Sequence, residues 1–131
     1  MKKMFLLLGL TAFIAMSFVS GPELKKVDEE VFVNDSSVPA DVKKVIDNKC
    51  YGCHNSESKN EKGKKKLSFD KLSALSVAKQ VGKYEEIHEV VTEAKMPPKK
   101  FLAKYPDKAL SADETKALLT WAKDESDKLM K

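Results

Sequence analysis

Five consecutive residues carry the most specific chemistry in this chain: Cys50-Tyr51-Gly52-Cys53-His54. Two thiols closing one helical turn are spaced to meet the two vinyl groups of a single porphyrin. An imidazole placed directly after the second thiol then lies under the iron once the thioethers have formed. The motif predicts one covalently attached haem c, held by Cys50 and Cys53, with His54 as an axial ligand. Other chemistries fit less well. A thioredoxin-like dithiol needs alternating strands and helices around it, and none is visible. A structural zinc site needs a second pair of Cys or His ligands, and the only other histidine is His88. A chance Cys-x-x-Cys beside an unrelated histidine is the plainest alternative.

Haem iron in an electron carrier normally takes a sixth ligand, Met or His. Past the leader the chain has two methionines, Met96 and Met130. Met96 stands directly before Pro97-Pro98, whose fixed backbone holds a weak thioether ligand in one orientation. A core-filling role for Met96 is the competing reading. Met130, at the chain end, is a poor candidate. His88 is the rival, giving a bis-histidine site; its neighbours Glu85, Glu86 and Glu89 place it half in solvent.

Helices must position these groups. Val38, Val42, Val45 and Ile46 recur at helical spacing, with Pro39 at the first helical position and Asp41 in the first turn. This first helix runs into Cys50. Residues 57–66 read as a polar, lysine-rich loop. Ser68 is placed to cap a short helix bearing Phe69, Leu72 and Leu75. Gly82 reads as a break. Tyr84, Ile87, Val91 and Ala94 then mark a helix that Pro97-Pro98 stops. Ser111 and Glu114 form a capping box for a last helix with Leu118, Leu119, Trp121 and Ala122 on its apolar side. Nothing alternates with period two, so the fold class is all-α.

The chain has 131 residues, a formal charge of +4 and no arginine. Without arginine forks, nucleic acid is not an expected partner. Lys2 and Lys3, the apolar run from Phe5 to Val19, and Ala15-Met16-Ser17 read as an export signal over 1–17. The run falls short of the roughly 18–20 residues that span a bilayer, so membrane association requires that the segment be retained. Residues 18–37 read as a linker, partly disordered, with Val31-Phe32-Val33 as its apolar patch; 38–131 form the haem-binding domain. Periplasmic localisation follows. The two cysteines are too close to close a useful disulfide loop, so a large cofactor is the expected staple of so small a domain.

With these residues in place, the chain resembles the small haem-binding cytochrome c domains of exported bacterial proteins. The likeness rests on Pro39-Ala40-Asp41, the Cys-x-x-Cys-His motif, Met96-Pro97-Pro98, Tyr105-Pro106, and Leu110-Ser111 through Trp121-Ala122. It implies a small helical domain wrapped around one haem, with His54 and Met96 as ligands and one-electron transfer as the role. One segment departs from the family: residues 56–66 are polar where relatives tend to be aromatic and proline-bearing. No acid–base constellation points to turnover, so the chain reads as a monomeric carrier between redox partner proteins, not an enzyme. A sensor or peroxidase-like protein with an open sixth position, and a relay subunit of a larger complex, are the alternatives. Lysines at 59, 62, 64, 65 and 66 could steer an acidic redox partner, although most charge runs are simply solvated faces.

Overall fold

Residue patterning at three- and four-residue steps produces helices throughout, and no strand occurs among the described residues. The computed structural model describes residues 38–131. The expected leader 1–17 and linker 18–37 lie outside the described residues. Among the described residues, no helix is long and apolar enough to cross a membrane.

Helix α1 spans Ala40–Lys49 and buries Val42, Val45 and Ile46 along one stripe. Pro39 is its N-cap rather than its first residue, with extended ψ of 143° and no side-chain cap. α2 spans Glu61–Lys66, α3 Phe69–Leu72 and α4 Val77–Thr92. α5 spans Lys99–Leu102, a 3-10 turn covers Pro106–Lys108, and α6 runs from Ala112 to Leu129. α4 lies along α6 in the most extensive packing of the fold, and α1 crosses α6. Ile46, Leu118 and Ala122 are sealed at the centre. Trp121 is a core residue, meeting the Tyr84 ring edge-on at 5.4 Å. The capping box forms as expected: Glu114 N donates to Ser111 Oγ at 3.2 Å, and Ser111 N to Glu114 Oε2 at 2.7 Å.

Four local expectations are corrected. Residues 61–66 are helical, because Asn60 Oδ1 accepts the Gly63 N–H and nucleates a turn without apolar help. Gly82 sits inside α4 without breaking it; burial of Tyr84, Ile87 and Val91 outweighs a glycine penalty of about 1 kcal/mol. α4 ends at Thr92, before the prolines. Lys95 N donates to Val90 O and Ala94 N to Val91 O, a Schellman arrangement. Ala94 takes the left-handed position at φ 51°, where glycine is usual, and is exposed rather than part of the buried stripe. Finally, Ser68 Oγ donates to Lys64 O at 3.0 Å instead of capping α3, so it closes α2.

Candidate haem site

Past Lys49 the backbone keeps coiling. Cys50 N and Tyr51 N both donate to Ile46 O, and Cys53 N and His54 N to Cys50 O at 3.1 Å. This brings Cys50, Cys53 and His54 into one turn, with both thiols free and half-buried. Side chains pin that turn. Asn55 Nδ2 donates to Tyr51 O at 2.6 Å, and buried Ser58 donates its hydroxyl to Gly52 O at 3.0 Å. Asp70 of α3 accepts from both Ser56 N and Ser56 Oγ. Burial pushes the Cys50 thiol up to about 12, against the lowering influence of Lys49. A neutral thiol is the opposite of the activated thiolate that a dithiol oxidoreductase needs.

His54 is held by main chain. Its Nδ1 lies 3.1 Å from Gly63 O and 3.3 Å from Leu67 O. Both partners are carbonyl oxygens, which only accept, so Nδ1 carries a proton, and in the neutral ring Nε2 keeps the lone pair. That is the tautomer an iron-ligating imidazole requires. Phe69 packs its ring edge at 6.4 Å from the imidazole and donates its N–H to His54 O at 3.0 Å. Among the described residues, no three His, Cys, Asp or Glu side chains converge as a metal cage, so the zinc alternative finds no ligand set.

A separate segment presents Met96. It follows the Ala94 turn, is 38% exposed, and joins Pro97 through a cis peptide bond. Its N–H and that of Lys95 both donate to Val90 O, at 3.3 and 2.9 Å. His88 lies within α4, half-buried, and Met130 is exposed past the end of α6. Gly63, Leu67 and Ser58 escape sequence patterning, because they act through carbonyls or one hydroxyl. The Asn60-x-x-Gly63 spacing was the available clue.

The model of the haem-binding domain family matches residues 57–124. The chain belongs to that family. Haem is accordingly its cofactor. No curated protein and no solved structure matches the chain. The matched span of this haem-binding domain takes in Met96 and both carbonyls that face His54, and begins just after the Cys50–His54 turn. The donor set fits a haem: an imidazole with a free Nε2, and two free thiols one helical turn apart.

Proposed function

We propose that this haem-binding domain is a monohaem c-type cytochrome, a periplasmic one-electron carrier rather than an enzyme. The observation that carries the reading is His54: a turn bearing two free thiols ends in an imidazole whose Nδ1 faces only carbonyl oxygens. Cys50 and Cys53 would hold the haem as thioethers, each S–H adding across a vinyl C=C so that sulfur takes one carbon and hydrogen the other. No oxidant or reductant is consumed. When bound, the haem supplies a one-electron ferric–ferrous couple. His54 Nε2 would hold the iron through its lone pair, with the Gly63 and Leu67 carbonyls fixing the ring. Met96 would offer a soft thioether, which would favour the ferrous state and raise the potential. Electron donor and acceptor proteins are then the partners, with the domain itself a monomer.

Denaturing the exported protein in acid and acetone tests the covalent claim: haem should stay with the chain. Complete extraction of the colour would defeat it. A sensor or peroxidase-like role is the second reading, favoured by the 38% exposure of Met96 and by α5 burying none of its residues. Carbon monoxide binding by the unmodified ferrous protein would support that reading over the carrier.

A further inference from the structure

α2 is an odd helix to find in so small a domain. Its sequence is Glu61-Lys62-Gly63-Lys64-Lys65-Lys66, and it buries no residue. Hydrophobic burial therefore does not hold it in place. Polar links do: Asn60 caps Gly63 N at 2.9 Å, and Ser58 Oγ accepts from Asn60 N at 3.1 Å while donating to Gly52 O. Glu61 pairs with Lys64 at 2.7 Å, and Ser68 closes the C-terminal end. What α2 delivers to the fold is main-chain oxygen, with Gly63 O and the following Leu67 O both aimed at His54 Nδ1.

Close approach makes this possible. A Cβ built on Gly63 would lie 2.6 Å from Cys53 O and 3.3 Å from Cys53 C. The obstacle is backbone, in the turn already pinned through Cys50 O, Tyr51 O and Gly52 O, so it cannot swing aside. Any side chain at position 63 must lift α2. A hydrogen bond of 3.1 Å has little slack before it passes the usual range of about 2.7–3.2 Å.

We infer that Gly63 is a positioning residue for the axial imidazole: its missing side chain lets α2 seat a carbonyl on His54 Nδ1 and so tunes the iron's potential. The inference rests on the c-type reading above. An Nδ1–H that donates to carbonyls makes the imidazole a stronger electron donor, which favours ferric iron. Weakening that bond raises the potential.

The test uses haem-loaded protein carrying Gly63→Ala, with Gly82→Ala as control. Gly82 is also a mid-helix glycine, but a Cβ there meets nothing within 4 Å. Gly63→Ala is expected to raise the midpoint potential and to speed solvent exchange of the His54 Nδ1–H proton in ferrous NMR spectra; Gly82→Ala changes neither. Should Gly63→Ala fail to mature, Asn60→Ala loosens α2 without adding a clash and is expected to move both readouts the same way. Unchanged potential and Nδ1–H exchange in whichever variant matures would overturn the inference. Extractable haem in the unmodified protein would instead sink the c-type reading, so the two failures are distinguishable.

Discussion

A histidine whose Nδ1 faces carbonyl oxygens has lost its choice of tautomer, and His54 is left with Nε2 as the one ring atom that could bind a metal. Met96 has no comparable anchor. A thioether is a weak acceptor, so its place depends on the backbone that carries it: the shared bonds to Val90 O before it and two prolines after it. Replacing Met96 with Ala in the haem-loaded protein should abolish the weak far-red sulfur-to-iron band and lower the potential. It should also let carbon monoxide or peroxide bind. If His88→Ala produced those changes and Met96→Ala did not, the bis-histidine assignment would replace this one.

At the scale of elements, the end of α1 is tied to the start of α6 one residue before Cys50. Lys49 Nζ donates to Ala109 O at 2.6 Å and to Glu114 Oε2 at 2.5 Å. The lysine's hydrogen bond, followed by the Ser111 N–H, holds the Glu114 carboxyl below the usual carboxylate range. A depressed carboxylate stabilises the fold above its unfolded pKa of about 4.3, and that contribution is lost as pH falls through the lower folded value. Glu114 keeps 29% of its side-chain exposure, so solvent screening limits the pair to ~1 kcal/mol or less. Glu114→Gln should therefore lower the urea midpoint at pH 7, and the gap should be narrower at a pH below about 4.3. An equal gap at both pH values would show that the cap's shape, not its charge, matters. The Lys49–Glu114 tie was invisible in the sequence because it joins positions 65 apart. α1 and α6 were legible from apolar spacing and the capping box. α2 was not, since four lysines carry no apolar period and its function lies in carbonyls common to every residue. α4 was misjudged at both ends for a related reason. Gly82 is tolerated because tertiary burial carries the helix, and the true stop hides in Ala94, an alanine doing what glycine ordinarily does.

For the molecule as a whole, the core and the site are built from different elements. Among the described residues, all eleven buried apolar side chains come from α1, α3, α4 and α6. α2, α5 and the 3-10 turn bury none, and α5 packs chiefly on that turn. α2 and the α5 region that follows Met96 thus depend chiefly on polar links, with Leu67 packing against the core from the end of α2. A bound haem would join them to the helical core by contacts that the protein side chains do not supply. Local stability should divide the same way. In protein made without haem, amides of α4 and α6 are expected to exchange slowly with deuterium, while those of α2 and of residues 96–108 exchange quickly. Loading with haem should slow the second group by roughly tenfold or more, ~1.4 kcal/mol of added local stability, and change α4 and α6 less. Fast exchange across every helix of the haem-free chain would mean that the apolar core cannot hold itself together, and that haem attachment and folding are a single event.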